Sequence, residues 1–157
     1  MGPEGPSTVY SLELTKSSGE TVTSPENASK GIYSARSITL SNLPAGTYAI
    51  TAKAAVQPIY TEPPPVPTLA DCVLSAGEAK DYTAAVLPSQ PYPVTLVTEL
   101  VHTFKETGSV TLTCSALTEK FELLGGTTGG TTKIVAIKVR EGHEATTEEA
   151  TETTISG

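Results

Sequence analysis

Few residues in this 157-residue chain carry side chains whose chemistry is specific enough to define a site. The cysteines are Cys72 and Cys114, and the histidines are His102 and His143. Both cysteines fall at inward positions of predicted strands, where they form either a disulfide or two small buried apolar residues. Two thiols and two distant histidines have no paired ligand spacing, so the sequence predicts no metal site.

The sequence contains no recognisable catalytic arrangement. His102 lies in mid-strand among apolar residues and His143 lies in a polar tail, which favours a core or surface role over a catalytic one. No serine occupies a nucleophile elbow, and no carboxylate pair is predicted in a cleft. The glycine-rich segment 125–130 lacks the lysine of a phosphate-binding loop. The sequence therefore predicts a protein that is not an enzyme and that binds no cofactor.

Aromatic residues are scarce, with six Tyr, two Phe and no Trp. Tyr60, Tyr82 and Tyr92 lie in or beside two proline-rich segments, 58–67 and 88–93. Loops stiffened by proline lose little entropy on binding, and tyrosine presents an apolar ring with one polar tip. We therefore expect these three tyrosines to be loop anchors of a binding surface. The alternative is that they cover strand edges and loop bases.

The elements that position these residues are strands. The chain has 26 Thr and 14 Ser, and eight segments alternate with a period of two. These segments are 8–15, 31–40, 48–56, 69–76, 82–86, 94–104, 110–116 and 133–140. Segment 17–30 is predicted to be a surface connection and 41–47 a hairpin turn, while helix is supported only weakly, around Glu148. The pattern predicts an all-β fold, an antiparallel two-sheet β-sandwich or jelly roll, with irregular N- and C-terminal extensions.

The segment 94–104 is unusual because it is apolar on both faces. One parity carries Leu96, Leu100 and Phe104, and the other carries Val97 and Val101. Such a strand is buried on both sides or lies at a subunit interface. We expect an oligomer interface that includes Leu96, Leu100 or Phe104. In the last strand, the residues expected to point inward are Val135, Ile137 and Val139.

Charge and hydropathy exclude two classes of partner. Ten basic against seventeen acidic residues give a formal charge of −7, with no basic patch for a phosphate backbone, so nucleic acid binding is not expected. No apolar run approaches the roughly 18 residues of a membrane span, and the N-terminus lacks the basic and apolar regions of a signal peptide. We expect no membrane insertion.

The two termini differ in composition from the rest of the chain. Residues 2–7 form two Gly-X-Y triplets with proline at X, as at the end of a collagen-like stalk, although an ordinary flexible terminus is the alternative. The last seventeen residues contain five glutamates and form either a docking arm or a disordered solubilising end, which the composition favours. The predicted organisation is a collagen-like arm (1–7), a β-sandwich (8–140) and an acidic Thr/Glu-rich tail (141–157).

Seven segments, taken in order, resemble a known group of proteins. They are residues 2–6, 8–14, 43–54, 72–77, 100–104, 108–114 and 133–139. Together they resemble the β-sandwich heads that follow collagen-like repeats in tail-fibre and other virion proteins of phages infecting actinobacteria, and in some actinobacterial surface proteins. The resemblance covers roughly residues 2–139.

The resemblance implies a jelly-roll head that assembles as a homotrimer, similar in architecture to tumour necrosis factor heads, and that serves attachment. It also implies a disulfide between Cys72 and Cys114. The expected function is a virion structural or adhesion protein, as a tail-fibre head or a capsid decoration, on the virion surface. Its expected partners are other virion proteins or a host-surface glycan or protein. The alternative is the head of a bacterial cell-surface collagen-like adhesin.

Overall fold

The computed structural model describes residues 8–15, 20–23, 35–59, 67–126 and 130–140. These ranges contain strands and no helix, so none of their segments is a helix long and apolar enough to cross a membrane. The strands are β1 (Val9–Glu13), β2 (Glu20–Thr23), β3 (Arg36–Leu43), β4 (Gly46–Pro58), β5 (Leu69–Ala76), β6 (Ala79–Val86), β7 (Val94–Phe104), β8 (Gly108–Thr118), β9 (Lys120–Leu123) and β10 (Lys133–Val139).

The strands form two antiparallel sheets. Sheet A has the order β1-β10-β4-β9-β2, in which β10 and β9 share one edge of β4, and β7 pairs along the opposite edge of β4. Sheet B has the order β3-β8-β5-β6. Only β5 and β6 are neighbours both in the chain and in a sheet, so most connections between described strands do not make hairpins. This is a jelly-roll-like β-sandwich, and the predicted all-β, two-sheet architecture is confirmed.

The core lies between the two sheets and follows the alternation of the strands. On β4 the inward residues are Tyr48, Ile50, Ala52, Ala54 and Val56, and each is at most 1% exposed. On β5 and β8 the inward residues include Leu74, Val110 and Leu112 as well as both cysteines. Burying one Val, Leu or Ile side chain contributes about 1.5–3 kcal/mol, so these inner faces supply the main driving force for folding.

The predicted hairpin at 41–47 is wrong. The segment does reverse the chain, with Asn42 at φ +61° and Gly46 at φ +146°. However, β3 pairs with β8 in sheet B, whereas β4 pairs in sheet A. The turn therefore carries the chain from one sheet to the other. Turn residues specify a local reversal, and the sheet that receives the next strand depends on long-range pairing.

A strand also lies where a surface connection was predicted. Within segment 17–30, β2 pairs with β9, and its Val22 is fully buried opposite Phe121. A four-residue strand with one apolar side chain leaves no periodic signal. The predicted arm (1–7) and acidic tail (141–157) lie outside the described residues, as does the start of the predicted strand 31–40.

Tyr48 ties the turn before β4 to the core. Its hydroxyl donates a hydrogen bond to the Pro44 carbonyl oxygen at 2.7 Å. Its buried ring makes edge contacts with Tyr10 and Phe104, at centroid distances of 6.0 and 5.9 Å. The bond fixes where the chain crosses between the sheets.

We expect Tyr48→Phe to lower the free energy of unfolding by about 1–2 kcal/mol, because it leaves the Pro44 carbonyl without this donor. Urea unfolding measures the loss. Tyr82→Phe is the matched control, since the Tyr82 side chain is 64% exposed and its change should be near zero. Equal stabilities of wild type and Tyr48→Phe would contradict the role given to this hydrogen bond.

Burial, with a contribution from the neighbouring Tyr10 phenol, raises the pKa of Tyr48 above its usual value of 10.0. The folded-state pKa therefore exceeds the unfolded one, so the neutral phenol stabilises the fold below about pH 10 and this contribution is lost at higher pH. As the pH rises above about 10, the free energy of unfolding of Tyr48→Phe should therefore fall less than that of wild type.

Candidate functional site

The cysteines form an internal cross-link. Cys72 on β5 and Cys114 on β8 are directly opposite in the strand register and are joined by a disulfide, with their Cα atoms 4.1 Å apart. Both are buried, with exposures of 1% and 0%. The bond connects residues 42 positions apart and lies in the two central strands of sheet B. Its role is structural, because no ligand can reach it from the surface.

His102 lies beside a shallow depression at the end of β7. Its ring packs edge-on against Phe104, at a centroid distance of 4.6 Å. It also lies against Gly77, whose φ of +59° favours glycine and where a Cβ would come within 2.6 Å of Nε2. Glu78 and Glu106 line the same depression. Within the described ranges no three His, Cys, Asp or Glu side chains form a group that could hold a metal ion.

The predicted tyrosine anchors do not form one loop cluster. Tyr82 lies in the middle of β6 with its side chain on the outer side of sheet B, so it is a strand residue, as the predicted segment 82–86 has it, and it does not lie on a loop. Tyr92 lies in the connection between β6 and β7. Both side chains are 64% exposed. Tyr60 lies outside the described residues.

The predicted interface residues face the core. Leu96 and Phe104 are 6% and 8% exposed, and Leu100 packs against the same buried cluster. Val97 and Val101, on the other parity of β7, are 54% and 55% exposed. The expected interface on Leu96, Leu100 or Phe104 is therefore corrected, because these side chains are held inside their own chain.

The last strand needs the same correction. The inward residues of β10 are Ile134 and Ala136, which are fully buried. Val135 and Val139 are only partly buried and Ile137 is 39% exposed, all on the outer side of sheet A. Two strands of sheet A thus present β-branched apolar residues to the outside.

These outward residues align across sheet A. One row crosses four strands in register, with Val9, Ile137, Ala49 and Val101 on β1, β10, β4 and β7. The next row contains Ser11, Val135, Thr51 and Glu99, and the one beyond it Glu13, Lys133, Lys53 and Val97. With strands about 4.8 Å apart, each row spans roughly 14 Å. We call this surface, formed by the three rows, the outer face of sheet A.

The opposite surface of the sandwich is polar in its middle rows, and it exposes Val86 of β6 and Leu117 of β8 towards one end of the sheet. Its central row contains Tyr82, Val73, Thr113 and Ser37 on β6, β5, β8 and β3. The row beside it contains Lys80, Ser75, Thr111 and Thr39. Asp71 precedes Val73 by two residues on the same side of β5. We call this surface, formed by these residues, the outer face of sheet B.

The apolar outer face of sheet A was missed from the sequence, although a signal for it was present. Val97 and Val101 already stood on the second parity of the doubly apolar strand, and Val9 stood on the second parity of the first strand. What the sequence lacked was the register, which places Val9 beside Ile137 and Ile137 beside Ala49.

Comparison with known proteins identifies the fold. No family model and no curated protein matches the sequence. Among solved structures, the chain is similar to Eiger TNF from S. frugiperda, with a TM-score of 0.50 and 9% identity over 92% of this chain and 100% of that one. Murine APRIL has a TM-score of 0.45 and 9% identity over 85% and 100% of the two chains. The sandwich is TNF-like in architecture, and at this identity the likeness concerns the fold alone.

Proposed function

We propose that this chain is a non-enzymatic attachment protein of a phage virion, acting as a homotrimeric head that binds a host surface or another virion protein. The resemblance of its ordered segments to virion head domains supports the virion assignment. The TNF-like sandwich supports a head architecture. The observation that carries the proposal is the apolar row that crosses four strands on the outer face of sheet A.

The outer face of sheet A suits contact with copies of the same chain. Its first row, which runs from Val9 to Val101, is apolar across four strands, and contiguous exposed apolar surface marks an interaction site. The charges in the other two rows are balanced, with Glu13 and Glu99 against Lys53 and Lys133. A surface of zero net charge with both signs does not repel a second copy of itself, so identical subunits can pack there.

The remaining surface is available for attachment. When the outer face of sheet A is covered, the outer face of sheet B and the connections between strands still face solvent. Tyr82 and Tyr92 are the most exposed aromatic side chains among the described residues, and tyrosine is a favoured anchor of binding surfaces. The disulfide supports a working location outside a reducing cytosol, as a virion surface is.

We expect fluorescently labelled protein to bind actinobacterial host cells or purified phage particles, and the chain to be present in those particles by mass spectrometry. The Tyr82→Ala/Tyr92→Ala variant should bind at least tenfold more weakly, because it removes both aromatic anchors. Circular dichroism and light scattering of the variant establish that the fold and the oligomer are retained.

Four results would overturn parts of this proposal. Absence of binding to cells and to particles would refute attachment. Unchanged binding by the double variant would refute the anchors. A hydrolytic activity on cell-wall polymer that needs His102 would refute the assignment as a protein that is not an enzyme. Presence of the chain on cells and its absence from particles would favour a bacterial surface adhesin.

A further inference from the structure

The outer face of sheet B combines one aromatic ring with an array of hydroxyl groups. The hydroxyls are paired across β3 and β8, with Ser37 and Thr113 2.8 Å apart and Thr39 and Thr111 3.0 Å apart. Each hydroxyl has one donor and two acceptor positions, so a single such contact leaves each pair further hydrogen-bonding capacity towards solvent. This face therefore offers many weak polar contacts in a regular arrangement.

Tyr82 lies at one end of the central row of this array. Its side chain is 64% exposed and makes no ring contact with another aromatic residue of the described chain. The backbone beneath it is paired with β5 along the whole of β6. A ring on a paired strand is held more rigidly than a ring on a loop, so it can serve as a stacking platform at small entropic cost.

The charges on this face cancel locally. Lys80 precedes Tyr82 by two residues on the same side of β6, and Asp71 lies diagonally across from Tyr82 on β5. One cation and one anion beside the ring favour neither a polyanion nor a polycation. A neutral ligand is the better match.

We propose that the outer face of sheet B binds a neutral polysaccharide, with Tyr82 stacking on a sugar ring and the serine and threonine hydroxyls bonding to sugar hydroxyls. A sugar ring has apolar C–H faces, which can stack on the Tyr82 ring. It also has a rim of hydroxyls, which can bond to the serine and threonine hydroxyls. This inference rests on the proposed attachment function and names its ligand class. In a trimer joined through sheet A, three such faces point outward, and three weak sites gain avidity on a repeating polymer.

A protein partner fits this face less well. The centres of protein interfaces are apolar and are depleted in serine and lysine. Here the central row has one aromatic residue and one valine beside Thr113 and Ser37. The array is polar at its centre, which suits a ligand that is itself covered with hydroxyls.

The test is affinity electrophoresis of the full chain through gels containing purified arabinogalactan, mannan or a soluble β-glucan. At least one polymer should retard the wild type. Tyr82→Ala should weaken retardation at least tenfold, whereas Tyr82→Phe, which keeps the ring, should stay within about threefold of wild type. Thr113→Val, which keeps the shape and removes one hydroxyl, should weaken it several-fold. Lys105→Ala, in the exposed turn after β7, is the control expected to behave as wild type.

The outcomes separate this inference from the proposed function. Retardation by no polymer, or equal retardation of wild type and Tyr82→Ala, would overturn the polysaccharide site. If binding to cells then persists and is abolished by protease treatment of the cells, attachment stands and its receptor is a protein. Retardation that depends on Tyr82 without any binding to cells or particles would support the site and refute the attachment function.

Discussion

Replacing Val101 by lysine is expected to convert the proposed homotrimer into monomers. Val101 lies in the apolar row that crosses sheet A, beside Ala49, with 55% of its surface exposed in the single chain. An unpaired charge buried at a subunit contact costs about 3–5 kcal/mol, and 3 kcal/mol corresponds to more than a hundredfold in a dissociation constant. Light scattering at micromolar concentration should give three times the 16.2 kDa chain for wild type and the single-chain mass for the variant.

The matched control is Val86→Lys. Val86 is also an exposed valine on a strand, at 65%, but it lies on β6 in sheet B. The same change of charge and size there should leave the trimer intact. Both substituted positions are exposed, so circular dichroism should find both variants folded. A monomeric wild type, or a Val101→Lys variant that remains trimeric, would refute the assignment of sheet A as the assembly face.

The strand β8 illustrates what local sequence can predict. Its apolar residues, including Val110, Leu112 and Ala116, occupy one parity, and Thr111 and Thr113 occupy the other. Only one orientation buries the apolar set, so both the strand and its inward face follow from the residues alone. The structure buries Val110, Leu112 and Ala116 as this pattern predicts.

The strands β7 and β10 illustrate where that reasoning stops. Both carry apolar residues on both parities, so either orientation would bury an apolar set. Pairing decided the outcome: Ala136 lies opposite the buried Ile50 of β4, and Ile137 lies opposite the outward Ala49. Register depends on contacts between distant parts of the chain, and neither periodicity nor composition encodes it locally.

The candidate binding site was predicted only in part, for a related reason. The sequence indicated Tyr82 as an exposed aromatic residue but began its strand too late, beside proline-rich loops. In the structure β6 begins at Ala79, and Tyr82 is paired with Val73 of β5. The hydroxyl array could not be predicted at all, because it joins Ser37 to Thr113 across 76 positions of the chain.

The second large effect is expected when the disulfide is removed. Its loop of 42 residues restricts the unfolded chain, and the chain-entropy relation gives about 4 kcal/mol of stabilisation for a loop of this size. Cys72→Ala/Cys114→Ala should lose somewhat more, because the sulfur atoms also fill buried space between the sheets. Denaturant unfolding measures both effects, and the expected loss is a large part of the 5–15 kcal/mol that stabilises an ordinary domain.

Reduced wild-type protein, unfolded and refolded in the presence of reductant, keeps both sulfur atoms and loses only the bond. Comparing it with the oxidised protein and with the double alanine variant therefore distinguishes the stability contributed by the cross-link from that contributed by packing. The reduced protein should unfold at a clearly lower denaturant concentration than the oxidised protein, and the double alanine variant at one lower still. Thiol titration of unreduced protein in denaturant should find no free thiol. Two free thiols in protein prepared under oxidising conditions would refute the bond. Equal midpoints for oxidised and reduced protein would contradict the expected stabilisation, because the cross-link would then contribute nothing to the free energy of unfolding.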